Sequence, residues 1–153
     1  MIEQIRAWLT GGAERQAQTR DDLELALCAL LIEAADSDDH FDEQERQVIS
    51  GLLECRLNLS PPRARALLEA GERAAERSAE LFHFTRIINE RLSRDERIEL
   101  IEMLFEVAYA DGVLDEFEDS LVRRVGGLIY VSDSERGLAR RRVLTRRGLD
   151  DAV

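Results

Sequence analysis

The chain has 153 residues, about one domain, and its 44 % hydrophobic content is enough for a single core. A formal net charge of -11 argues against nucleic-acid binding by the chain as a whole, because a polyanion is repelled before contact, and no apolar run is long enough to cross a bilayer. Two prolines, 5 % aromatics and long runs of Ala, Leu, Glu and Arg predict an all-α fold.

In chain order, Met1 to Leu9 places Ile2, Ile5, Trp8 and Leu9 on one side of a short helix that stops at Gly11-Gly12, and a polar linker follows through Arg20. This divides the chain into an N-terminal helix and linker, 1–20, and a helical domain, 21–153. Asp21-Asp22 opens a helix with one stripe of Leu23, Leu27, Leu30, Leu31 and Ala34 and another of Leu25, Cys28, Ile32 and Ala35. A helix apolar on two sides belongs in the middle of the fold. An acidic turn comes next, then a helix from Asp42 to about Leu57 with Val48, Ile49, Leu52 and Leu53 inward. Ser60 reads as the N-cap of the following helix, with Pro61 at the favoured first position.

Ala79 to Leu92 is predicted as a linking helix with Leu81, Phe82, Phe84, Ile87, Ile88 and Leu92 inward, and Ser93-x-x-Glu96 is a capping box for the next helix. That helix, Asp95 to Ala110, has the same broad apolar surface through Ile98, Ile101, Leu104, Phe105 and Ala108. A second acidic turn leads into Asp115 to about Tyr130, with Leu121, Val122, Val125 and Leu128 inward. Ser132-x-x-Glu135 caps a last helix to about Arg147.

These elements repeat. When Leu27 is laid on Leu100, Leu31 falls on Leu104, Glu33 on Glu106, Ala35 on Ala108, Asp38 on Asp111, Asp42 on Asp115, Glu43 on Glu116 and Glu45 on Glu118 without a gap. After a one-residue slip, Leu57-Asn58-Leu59-Ser60 falls on Ile129-Tyr130-Val131-Ser132. The pattern reads as an internal duplication of helix, acidic turn, helix, connector and helix.

The two acidic turns, centred on SDDHFDEQERQ and YADGVLDEFED, hold the candidate site. Asp42-x-x-Glu45 and Asp115-x-x-Glu118 fit capping boxes, and capping is the simpler reading of those four residues. Asp38 and Asp111 differ, because each follows the C-terminal end of a helix, where exposed carbonyls oppose a carboxylate by roughly 0.3–1 kcal/mol. An Asx turn, an arginine or a bound cation would offset that cost. Asp38, Asp42 and Glu45 in one copy, and Asp111, Asp115 and Glu118 in the other, each supply three hard oxygen donors, suited to calcium or magnesium. Asp36 and His40 make the first turn denser, with His40 a candidate nitrogen ligand, and neither turn has the glycine and glutamate spacing of an EF-hand.

The stretches ALLIEAADSDDHFDEQE and LFEVAYADGVLDEFE, the run from Ala110 to Glu118 and the LNLS connector at Leu57 to Ser60 resemble the tellurite-resistance TerB family, over about Leu23 to Leu144. The resemblance implies a compact helical domain of cytoplasmic bacterial proteins, linked to tellurite or chemical stress and to complexes at the inner membrane face. It also implies metal binding by acidic residues, which here would be Asp38, Asp42, Glu45, Asp111, Asp115 and Glu118. Asp39 stands where the second turn has Gly112, so the two turns are not equivalent.

The expectation is a non-enzymatic module that binds protein partners, gated by a divalent cation, with a metal-free structural scaffold as its plainer form. Cys28 and Cys55, without close metal spacing or a secretory segment, fit a reduced cytoplasmic setting. A second class is a metalloenzyme in a helical bundle: Glu80-x-x-His83 has di-iron spacing, but such sites need two pairs. A third reading takes Arg136, Arg140, Arg141, Arg142, Arg146 and Arg147 as a nucleic-acid or lipid surface. Against it, a terminal basic helix on an acidic domain more often pairs with that domain's own carboxylates. No serine, cysteine or histidine constellation suggests nucleophilic catalysis.

Overall fold

A computed structural model describes residues 20–35, 42–76 and 81–149. The expected helix at Met1 to Leu9, its linker up to Thr19, and residues Asp36, Asp38 and His40 of the first turn lie outside the described residues, while Arg20 is the first residue of a helix. Among the described residues there are seven helices and no strand: α1 (20–35), α2 (Glu43–Arg56), α3 (Pro61–Ala75), α4 (Leu81–Arg91), α5 (Arg94–Ala108), α6 (Glu116–Leu128) and α7 (Asp133–Arg146). The fold is all-α.

The helices begin where side chains satisfy the free N–H groups of a first turn. Ser93 with Glu96 and Ser132 with Glu135 form complete capping boxes at α5 and α7, and Ser60 Oγ accepts from Arg63 N–H at α3, with proline at its first positions. Helices α6 and α7 end in left-handed residues. Val131 N–H donates to the Gly126 carbonyl at 2.9 Å while Tyr130 has φ 61°, and Leu149 N–H donates to Leu144 at 2.8 Å beside Gly148, φ 68°. Asn58, at φ 56°, occupies the same register position after α2 as Tyr130 after α6.

Two helices carry the core. In α1, Ala26, Cys28, Ala29, Leu30, Leu31, Ala34 and Ala35 are fully buried. In α5, Leu100 to Phe105 and Val107 to Ala108 are likewise buried. Each fully buried Leu or Ile contributes about 1.5–3 kcal/mol, so these two helices supply much of the apolar driving force.

The outer helices follow one plan in both halves. Helix α7 runs parallel to α5, since Arg94 at the start of α5 pairs with Glu135 at 2.9 Å and Glu106 near its end pairs with Arg147 at 3.1 Å. In the other half α3 runs parallel to α1: Glu24 pairs with Arg63 at 3.0 Å, Cys28 Sγ–H donates to the Leu67 carbonyl at 3.6 Å, and Ile32 lies against Gly71. Gly71 is required there, because a Cβ would stand 2.7 Å from Cys28 Sγ and 2.9 Å from Ile32 Cδ1. Helix α2 crosses to the other half antiparallel to α5, with Arg56 on Glu99 at 2.7 Å at one end and Gln44 on Ala110 at the other.

The linking helix α4 differs from expectation in one residue. Phe84 and Ile88 are buried and Leu81, Ile87 and Leu92 pack partly against the core, but Phe82 is 71 % exposed. The reason is angular: Leu81, Phe84, Thr85 and Ile88 follow the i, i+3, i+4, i+7 stripe, and Phe82 lies about 100° off it.

Candidate functional site

The last turn of α5 and the first turns of α2 and α6 meet at a small acidic cleft. Gln44, the second residue of α2, donates from Nε2 to the Ala110 carbonyl at 2.9 Å, which draws the start of α2 onto the turn after α5. The walls of the cleft are Asp42, Gln44 and Glu45 from α2 and its cap, Val107, Ala108, Ala110 and Asp111 from the end of α5, and Glu118 from α6. Four of the predicted residues, Asp42, Glu45, Asp111 and Glu118, therefore line one space of about 310 Å³, counting its open mouth. Asp115 does not line it, and Asp38 lies outside the described residues.

Asp42, Glu45 and Asp111 each have an identifiable local role. Asp42 and Glu45 form the expected capping box, with Asp42 Oδ1 accepting from Glu45 N–H at 2.8 Å and Asp42 N–H donating to Glu45 Oε1 at 3.3 Å. Asp111 Oδ1 accepts from Val113 N–H at 3.1 Å, an Asx turn, which is one of the three ways its placement after a helix end can be offset. Gly112, at φ 87°, lets the chain reverse immediately after it.

The box expected at Asp115 and Glu118 is replaced by a simpler cap. Asp115 Oδ1 accepts from Phe117 N–H at 2.7 Å, one residue earlier than a box requires, and Glu118 is 8 % exposed on the wall of the cleft. An aspartate side chain reaches the second or third N–H of a helix equally well, and choosing the second leaves the third-position glutamate on the buried side.

Positive charge sits beside the cleft. Arg147 donates from Nη2 to the Ala110 carbonyl at 3.3 Å and from Nη1 to the Glu106 carboxylate at 3.1 Å, so a cation covers the negative end of α5. The other arginines of α7 are engaged nearby. Arg146 meets Glu102 at 3.0 Å and Glu106 at 3.1 Å, Arg142 meets Glu102 at 3.6 Å, and Arg140 Nε donates to the Tyr109 hydroxyl at 2.7 Å. Arg136 pairs with Asp133 at 2.7 Å, while Arg141 is exposed. Most of the basic helix thus neutralises carboxylates of its own domain.

Sequence reasoning did not find Gln44 or the Ala110 carbonyl. One signal was available: in the repeat register Gln44 falls on Phe117, and that chemical mismatch marks a place where the two units do different work. Gln44 ties α2 to the turn after α5, whereas Phe117 is 68 % exposed.

The donors at the cleft are all oxygens, the set that suits a hard divalent cation. Among the described residues, however, no three or more His, Cys, Asp or Glu side chains converge closely enough to hold an ion. The donor chemistry fits, and the described carboxylates alone do not close a cage. His83, of the predicted Glu80-x-x-His83 pair, is exposed with its ring centroid 5.9 Å from that of Phe84, and Glu80 lies outside the described residues.

The buried thiol is not poised for chemistry. Burial, with the Glu72 carboxylate adding to it, pushes the Cys28 thiol up to about 12. Cys55 is exposed.

An all-helical domain with an acidic cleft between the starts of α2 and α6 and the end of α5 is the class that fold and site define. The chain matches the family model described as tellurite resistance protein TerB over residues 24–141, and it belongs to that family. Neither the curated proteins nor the solved structures contain a match to it. Among the described residues no helix is long and apolar enough to cross a membrane.

Proposed function

We propose that this TerB-family domain is a non-enzymatic interaction module of the tellurite or chemical stress response, in which a divalent cation at the acidic cleft stiffens the junction between the two units. The supporting observation is that Asp42 and Glu45 from one unit and Asp111 and Glu118 from the other line the same cleft, bridged by Gln44. Asp42 and Asp111 each commit Oδ1 to a backbone N–H, so an ion would draw on the remaining carboxylate oxygens and on water. Magnesium keeps several waters and needs only one or two carboxylates, while calcium needs six to eight oxygens. The proposal includes a cytoplasmic setting with protein partners at the inner membrane face, as the resemblance to the family implies. Its α7 arginines, engaged by α5 carboxylates, support partners other than nucleic acid.

Calorimetric titration and thermal melts with calcium, magnesium and manganese test the cation. Saturation at about a hundredfold over the Kd raises unfolding free energy by about 2.7 kcal/mol. The gain is expected to be lost in a Asp111→Asn, Glu118→Gln double variant that still melts cooperatively without metal. An absence of heat and of any melting shift at millimolar ion would remove the cation from the proposal.

A further inference from the structure

The most buried helix of the fold is incompletely covered at its start. From Ala26 onward α1 is closed on nearly every side, yet Leu23 and Leu25 in its first turns are only half-buried. Beside them, between α1 and α3, runs a groove of about 660 Å³ counting its open mouth, floored by Leu25, Leu67, Ala66 and Ala70 and edged by Arg63 with its partners Asp21 and Glu24. Ala66 and Ala70 lie one turn apart on α3, and their small side chains leave the floor low enough to admit a large apolar side chain.

We propose that the chain's own N-terminal segment seats Ile2, Ile5, Trp8 and Leu9 in this groove, packing across α1 and α3. The sequence of the segment spaces its apolar residues as one side of a short helix with no partner within its own length, and a helix of that kind is stable only if that side is buried. The tether is sufficient. Thr10 to Thr19 separates the stripe from the first residue of α1, and ten residues span up to about 33–36 Å when extended. A tether this short holds the segment at roughly millimolar effective concentration next to the groove, favouring it over a free competitor. Charge adds little, because Glu3 and Arg6 cancel.

A second groove adjoins the first across the Arg63 ion pairs, lined by Leu23, Leu57 and Leu59 but also by Arg20, Arg56 and Asn58. Burying an apolar stripe there would strip water from those polar groups. The α1–α3 groove has the apolar floor, and the proposal therefore commits to it. It does not depend on a cation at the acidic cleft, to which none of its residues belongs.

Trp8 is the sole tryptophan, so intrinsic fluorescence of the full chain reports on this segment alone. In the native protein its emission is expected to be blue-shifted from the urea-unfolded chain and protected from acrylamide, at the same position across a hundredfold dilution. Ala66→Glu and Ala70→Glu, in the solvent-accessible floor of the groove, are expected to abolish both the shift and the protection while the helical far-UV signal and its melting are retained. Native emission equal to that of the unfolded chain would overturn the proposal. A blue shift unmoved by either substitution would place Trp8 elsewhere, and one that fades on dilution would make a second copy the occupant; either also overturns it.

Discussion

Gly71 and Gly137 show how one residue type acquires opposite meanings from its surroundings. Both lie inside helices, where glycine costs roughly 0.5–1 kcal/mol relative to alanine. At Gly137 an added Cβ meets nothing within 4 Å, so Gly137→Ala is expected to raise stability by about that amount. At Gly71 the added carbon would collide with Cys28 and Ile32 in the buried α1–α3 seam, and Gly71→Ala is expected to cost about 1–3 kcal/mol. Urea unfolding of the two variants checks both signs in one experiment. If Gly71→Ala were neutral, the seam would have room to yield and the parallel α1–α3 packing would be looser than described. The same seam makes Cys28 chemically quiet, since a thiol held in its neutral form by burial is a poor nucleophile.

At the scale of the element, the starts of α5 and α7 are set by reciprocal caps that are also titratable. The Ser93 N–H holds the Glu96 carboxyl below its ordinary value, and the Ser132 N–H does the same for Glu135, in each case with help from the serine hydroxyl. The unfolded chain therefore takes up protons first as pH falls. Stability from these caps is fully present above the ordinary glutamate value of about 4.3 and is lost as pH drops through the lower folded values. Chemical denaturation between about pH 6 and 3 is expected to show this acid limb. It should be shallower in the Glu96→Gln, Glu135→Gln double variant, which keeps the hydrogen-bonding shape without the charge. Equal slopes would assign the acid sensitivity to groups other than these two caps.

For the whole molecule, helices α1 to α3 and helices α5 to α7 pack in a similar way and are joined unequally. Each has a buried first helix with its third helix parallel to it, and a left-handed residue closes its second helix, at Asn58 and at Tyr130. The Gln44 side chain then ties α2 to the turn after α5. Gln44→Ala is expected to cost about 0.5–1.5 kcal/mol, as for a typical hydrogen bond. If the two turns act as one site, it should also weaken any cation-induced rise in melting temperature. Unchanged cation response alongside lowered stability would leave Gln44 a structural tie alone.

Much of this was legible in the residues. Apolar stripes at helical spacing located the helices and singled out α1 and α5 as central, and Ser60, Ser93 and Ser132 placed three helix starts, because capping and burial of a stripe are decided within a few residues of chain. The family, too, could be read from the acidic turns and their flanks. Other features depended on neighbours distant in sequence. Which carboxylates would receive the arginines of α7, and that Gln44 would cross to the turn after α5, followed only from how the helices pack. Local propensity acts over about one turn of helix, whereas those partners lie tens of residues apart and meet only when the core closes.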